Sequence, residues 1–236
     1  MKMVLWGTLI NALLIVVGAI AGRLLKGIPD RMKETIMYAI GLAVAVMGIQ
    51  MSFESTNFII VIISLVIGTV LGEWWDLDRQ LNRLGQWLEK KMSKGGQEGT
   101  IAQGFVTATL IFVIGAMGVL GALNSGLRND HELLISKGII DGFTSILLAA
   151  TLGIGVLLSA IPVALYQGSI ALFATQITRL VPDEALTLFL SEMTATGGIM
   201  ILAIGLNLIG ITKVRVANLL PSLLVVALYV AWTFVF

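Results

Sequence analysis

Residues 190 to 200 read LSEMTATGGIM, inside an apolar run long enough to cross a membrane. The polar groups are Glu192, Thr194 and Thr196, and Gly197 and Gly198 follow at once. A carboxylate about two turns inside such a helix costs on the order of 2.5–3.5 kcal/mol near the bilayer centre, so it calls for a partner or a water-filled cavity. Thr196 stands one turn beyond Glu192 on the same face. A glycine pair weakens a helix, and a break there would expose carbonyls at one half-end and N–H groups at the other. This pattern predicts a discontinuous helix beside a polar cavity, with Glu192 as the binding or coupling group for a small solute, cation or proton. The plainer reading is a glutamate hydrogen-bonded to a neighbouring helix, with the glycines serving close packing.

Other embedded polar groups rank below it. Asp141 lies one turn into a helix expected from residue 138, where interfacial solvation or an i,i+4 pair with Lys137 would account for it. It joins the site only if its helix packs against the one carrying Glu192. Gln50 and Asn207 each follow a glycine by two in similar segments and form a candidate symmetric pair of binding amides. Asn11, Gln167, Gln176 and Asn218 read as interhelical glue, and Asn124 and Ser125 as a helix end.

Several function classes fall away. With no cysteine and with His131 as the single histidine, read as a solvated loop residue, the chain offers no thiolate nucleophile or imidazole metal site. An enzyme would want a nucleophile and base or two deep carboxylates, so no catalytic residue, metal or cofactor is assigned. No GxxxxGK[ST] loop is present to drive a pump, and a net charge of +1 gives no reason to expect nucleic acid.

The elements that must hold these residues are membrane helices. Hydrophobic residues make up 57% of the 236 and charged ones 12%, about half the charge of a soluble surface. Apolar runs predict helices near 4–22, 36–52, 57–73, 103–123, 138–158, 161–178, 186–209 and 217–236. Residues 36–52, 57–73 and 161–178 are short for a span and the last could be re-entrant, so the fold expected is an all-α polytopic membrane protein of seven to eight helices. Lys2 and the Ala19–Ala21 stretch resemble a signal peptide, but the basic residues follow the segment, which argues for a retained first helix. With the N-terminus outside, inside loops hold eleven of the 15 lysines and arginines, leaving Lys2, Arg128, Lys137 and Arg179 outside.

Trp74, Leu77, Leu81, Leu84 and Leu88 recur at helical spacing before a basic tail, which predicts a cytoplasmic interfacial helix followed by a flexible linker, Ser93–Gly99. The chain thus divides into an N-terminal half (1–73), this connection (74–100) and a C-terminal half (101–236). Residues 7–22 align with 104–119 at an offset of 97, matching Gly7/Gly104, Leu13/Leu110, Val16/Val113, Gly18/Gly115 and Ala19/Ala116. Residues 41–51 align with 198–208 at an offset of 157. Both pairs would run in opposite directions, so the pattern reads as an inverted repeat of a three-helix unit with a hairpin inserted in the second copy. Gly18/Gly22, Gly68/Gly72, Gly138/Gly142 and Gly115, Gly118 and Gly121 provide flat faces for internal packing or a homodimer contact.

The runs LGEWWDLDRQLNRLG, ATLIFVIGAMGVLGALNSGL, KGIIDGFTSILLAATLGIG and EMTATGGIMILAIGLNLIGI before VRVANLLPSLL resemble the YqgA/YdfK-like bacterial membrane proteins, domain of unknown function 554. The resemblance covers essentially the whole chain and implies a bacterial multi-pass inner-membrane protein. It implies no substrate and no site residue. The function expected is a secondary transporter or permeation pathway for a small solute or ion; the absence of lysine or arginine within the spans favours a cationic or neutral substrate. The rival is a non-transporting scaffold that engages a partner through the interfacial helix.

Overall fold

The computed structural model describes residues 4–24, 29–92 and 100–235. The expected linker Ser93–Gly99, with Lys2 and Lys26, lies outside the described residues. The regular elements are all helices: α1 (Trp6–Leu24), α2 (Asp30–Ser52), α3 (Phe58–Trp75), α4 (Leu77–Met92), α5 (Thr100–Val113), α6 (Ala116–Arg128), α7 (Glu132–Leu152), α8 (Gly155–Leu158), α9 (Ala160–Leu172), α10 (Ala174–Leu180), α11 (Asp183–Leu208) and α12 (Pro221–Val235), the last preceded by a 3₁₀ turn at Val216–Leu219. Among the described residues, seven helical stretches are long and apolar enough to cross a membrane, and the α5–α6 pair makes an eighth if it is one span. The chain is a polytopic all-α membrane protein.

Among the described residues the sharp bend within a span is not at the place expected, and the helices expected over 138–158 and 161–178 are also interrupted, at Gly153 (φ +80°) and Phe173. The sequence predicts a continuous helix over 103–123, but α5 and α6 meet at a bend of 65°. Gly115, with φ +125°, takes a backbone conformation that L side chains rarely adopt. The chain therefore leaves helical geometry after Val113 and resumes it at Ala116. The predicted break at Gly197–Gly198 is absent, because α11 runs unbroken from Asp183 to Leu208.

The helices form two compact units, each drawn from separated stretches of chain and so cutting across the expected boundaries at 73 and 100. The first comprises Met1–Ile36, Asn82–Val113 and Met117–Ile177; the second, Met37–Leu81, Ile114–Ala116 and Thr178–Phe236. In the first, α1 and α7 lie parallel, with Gly7 on Leu134, Gly18 on Gly142 and Gly22 on Ile146. A Cβ at Gly18 or Gly22 would stand 2.2 Å from a carbonyl oxygen of α7, so the two backbones touch. Parallel packing requires an odd number of crossings between the two helices. Three candidate spans, α2, α3 and the bent α5–α6 pair, lie between them in sequence.

In the second unit α2 and α11 pack antiparallel through glycines. Gly48 meets the Gly198 carbonyl and Leu202, while Gly205 meets the Gly41 carbonyl and Ala45. Gly198 in turn meets Ser52, and Gly41 meets Ile209. At the offset of 157 these contacts exchange pairwise, so the two aligned segments face each other about a local twofold. Gly68 and Gly72 likewise receive Ser222 and Asn218 from the segment entering α12. The chain's own helices thus fill the faces of these glycine pairs.

Candidate functional site

Glu192 is fully buried in α11, and the chain itself binds it. Its Oε1 accepts from the Thr56 N–H (2.9 Å), the Thr56 hydroxyl (2.8 Å) and the Asn57 N–H (3.2 Å), and its Oε2 accepts from the Ser55 hydroxyl (2.6 Å). These donors belong to the turn before α3, where Asn57 caps the helix by accepting from the Ile59 N–H. A helix start presents unpaired N–H groups and partial positive charge, a ready site for an anion. Here the anion is a side chain from a helix distant in sequence. Both carboxylate oxygens are engaged, and the result ties α11 to the α2–α3 turn.

The neighbours predicted with Glu192 separate accordingly. Gly197 lets α11 approach Ile114, whose Cγ2 would be 2.2 Å from a Cβ there, and Gly198 lets it approach Gly48 and Ser52. Both glycines serve packing and neither breaks the helix. Thr194 and Thr196 are buried, and their hydroxyls have no partner among the described residues. Gln50 is exposed. Asn207 fastens the loop after α11, donating to the Val214 carbonyl (2.8 Å) and accepting from the Thr212 hydroxyl and the Val214 N–H. Asn218 accepts from the Asp78 N–H (2.7 Å) at the start of α4. Asn218 Nδ2 has no partner among the described residues.

A different polar cluster lies in the first unit. The helix expected from residue 138 begins at Glu132, which carries Lys137 out of the loop and into the span. Lys137 and Asp141 are 6% and 5% exposed, so the interfacial solvation expected for Asp141 gives way to a buried ion pair. The Lys137 ammonium contacts Asp141 Oδ2 at 2.5 Å and donates to the Phe112 carbonyl at 2.8 Å. That carbonyl is in the last turn of α5, where the break at Gly115 removes the N–H groups that would otherwise take it. A lysine thus occupies the negative end of a half-helix inside the apolar span. The expectation that the spans hold no lysine or arginine is overturned.

Amides from two further helices complete the cluster. Asn11 of α1 donates to Gln167 Oε1 of α9 at 3.1 Å. Both amides are fully buried, yet Asn11 Oδ1 and Gln167 Nε2 lack partners among the described residues, as does the Thr8 hydroxyl one turn away. On the far side of the break, Gly118 in the first turn of α6 faces the group. A Cβ there would lie 3.4 Å from Lys137 Cε and 3.6 Å from Gln167 Nε2. Nearby, His131 is less solvated than expected, with Nδ1 2.6 Å from the Ser125 hydroxyl.

Sequence reasoning set Lys137 aside because its helix was started six residues late. The signal available was the doubled i,i+4 spacing of Lys137/Asp141 and Gly138/Gly142, which puts a charge pair and a flat face on one helix. In the sequence Gly115 reads as a repeat match to Gly18 and a packing residue, and neither reading predicts a break there.

Comparison with known proteins agrees with the architecture. Residues 6–231 match the family described as Protein of unknown function (DUF554), and the chain belongs to it. It is 37% identical over 226 residues to Uncharacterized membrane protein YdfK of Bacillus subtilis (strain 168), covering 94% of this chain and 93% of that one. It is 30% identical over 232 residues to Uncharacterized protein YqgA of Escherichia coli (strain K12), covering 96% and 97%. No solved structure matches the chain.

Proposed function

We propose that this member of the family is a secondary transporter or permeation pathway for a small polar solute or ion, and that its site is the Lys137–Asp141 cluster at the α5–α6 break. The observation that carries this reading is the Lys137 ammonium, which bridges Asp141 and the freed Phe112 carbonyl in the span. Ionisable groups within a bilayer are expensive, and in transporters they sit where discontinuous helices line a path. The exchanging contacts of α2 and α11 support the inverted repeat that such proteins use. Glu192, with both oxygens engaged by the α2–α3 turn, becomes a tie within the scaffold.

We place the protein in a bacterial inner membrane with its N-terminus outside. Removing Lys137 from the loops leaves Lys2, Arg128 and Arg179 against eleven basic residues inside, which strengthens that orientation. The amphipathic α4 then lies on the cytoplasmic side. Gly85 seats it against Ala102 at the start of α5, where a Cβ would come within 2.7 Å, and this supports an anchoring role over partner binding.

The test is reconstitution into proteoliposomes, recording currents on a solid-supported membrane as small amines, carboxylates and amino acids are exchanged. A solute-dependent signal should vanish in the paired variant Lys137→Met with Asp141→Asn and survive in Glu192→Gln. If the paired variant folds and carries the same signal, the assigned site is wrong.

A further inference from the structure

The Lys137 cluster offers every recognition element twice, once with each sign. Lys137 faces Asp141. The carbonyl end of α5 meets Lys137 through Phe112, and Gly118 in the first turn of α6 lies beside Lys137 and Gln167. Among the spare valences, Gln167 Nε2 is a donor and Asn11 Oδ1 an acceptor, and both are fully buried. A buried polar group left unsatisfied is costly, and a partner that supplies an acceptor and a donor together would satisfy both amides.

From this pairing we infer that the cluster binds a small zwitterion, a molecule with a carboxylate and an ammonium on neighbouring atoms, as in an α-amino acid. The identification rests on the site assigned under the transport reading and adds its substrate class. A lysine ammonium has three N–H groups, of which Asp141 and the Phe112 carbonyl take two. The third, with Gln167 Nε2 and the first-turn N–H groups of α6 at Gly118, makes a donor set for a carboxylate. Asn11 Oδ1 and the Asp141 carboxylate make the matching acceptor set for an ammonium. The resident ion pair need not separate, and the site stays neutral with the ligand bound.

Charge decides against the alternatives. A simple anion would leave Asp141 beside a second negative charge, and a simple cation would place one beside Lys137. Either loses in a low-dielectric span what a neutral zwitterion keeps. At Gly118 a single added carbon would already be in contact with Lys137 and Gln167, so a ligand enters only as these side chains shift, and the smallest zwitterions ask least of them.

The experiment uses the purified full chain in detergent or nanodiscs and follows thermal unfolding with glycine, alanine or serine added. Propionate and ethylamine, the two halves of alanine, serve as probes of each charge alone. The expected result is a raised midpoint with at least one of the three amino acids and none with either half. Gln167→Leu, which leaves both charges in place, should weaken binding roughly 10-fold, the worth of one hydrogen bond of about 1.4 kcal/mol. Lys137→Met with Asp141→Asn should abolish it, with monodisperse elution and helicity checking the fold, and Glu192→Gln should leave it unchanged. A shift with propionate or ethylamine alone, no shift with any of the three amino acids, or full affinity in Gln167→Leu overturns the zwitterion class. The transport reading fails separately: an amino acid that binds but does not move across proteoliposomes leaves the site standing, whereas flux of another solute without amino-acid binding leaves transport standing and removes this inference.

Discussion

Glu192 and Asp141 are both carboxylates carried into an apolar span, and their surroundings differ in kind. Around Glu192 four hydrogen bonds arrive from one short turn, two of them from backbone N–H groups at a helix start. Around Asp141 the partner is a lysine of its own helix, which also reaches the end of α5, and the amides of α1 and α9 that complete the group keep spare valences. The first arrangement is closed, since every oxygen of the acid is engaged and the contacts fix a turn to a helix. The second is open, because its polar groups outnumber their mutual bonds. Burial of a charge thus says little by itself, and neither do spare hydroxyls nearby, since Thr194 and Thr196 keep theirs beside Glu192; what differs is that both oxygens of Glu192 are engaged by a single turn.

The contrast can be broken most directly at Lys137. Lys137→Ala leaves Asp141 buried without its counter-charge, and we expect a loss of about 3–5 kcal/mol in thermal unfolding. The paired variant Lys137→Met with Asp141→Asn should recover most of that loss. A single variant as stable as the wild type would mean that the aspartate finds another partner, and the cluster would then be tied like Glu192. Next in size, Glu192→Gln exchanges an acceptor-only group for one that turns N–H against N–H, and should cost about 1.5–3 kcal/mol. The expected readout is a lower unfolding midpoint and faster proteolysis of the Phe53–Asn57 turn, with solute-dependent currents retained. Currents lost while the fold holds would return Glu192 to the site.

The two glycine positions sharpen the comparison further. Gly197→Ala places a carbon 2.2 Å from Ile114 Cγ2, which must move, and we expect about 1–3 kcal/mol of destabilisation with the helix continuous. Gly115→Ala has room, with Met51 Cε at 3.6 Å, but a conformation at φ +125° that alanine resists, also at about 1–3 kcal/mol. The distinguishing measurement is ligand binding, which should fall in Gly115→Ala and hold in Gly197→Ala. The smallest effect belongs to Gln50→Leu: this exposed amide should shift stability by no more than about 0.5 kcal/mol.

Much of the scaffold was legible in the residues. Apolar runs located the spans to within a few residues, except where helices began earlier than the hydrophobic pattern, as at Glu132 and Asp30, or ended elsewhere, as at Leu152 and Arg128. That early start hid Lys137, because hydropathy alone gives no credit to a lysine whose charge is met by an aspartate one turn on. The stretch at 190–200 drew attention for a sound reason, since a buried glutamate must be satisfied; what satisfies it is a turn some 135 residues earlier. Gln50 and Asn207, paired by the alignment, go to unlike places, one exposed and one fastening a loop.

By itself the sequence determined the solvent of this protein, its helical class and the rule that each embedded polar group must find a partner, because these follow from composition, run length and the cost of desolvation. The tertiary structure decided which groups the partners are and which helix breaks. A glycine written in a span can admit a neighbouring backbone, as Gly198 does, or free its own backbone to leave the helix, as Gly115 does. The letter is the same in both cases; the difference lies in what packs against it, and only the folded chain supplies that.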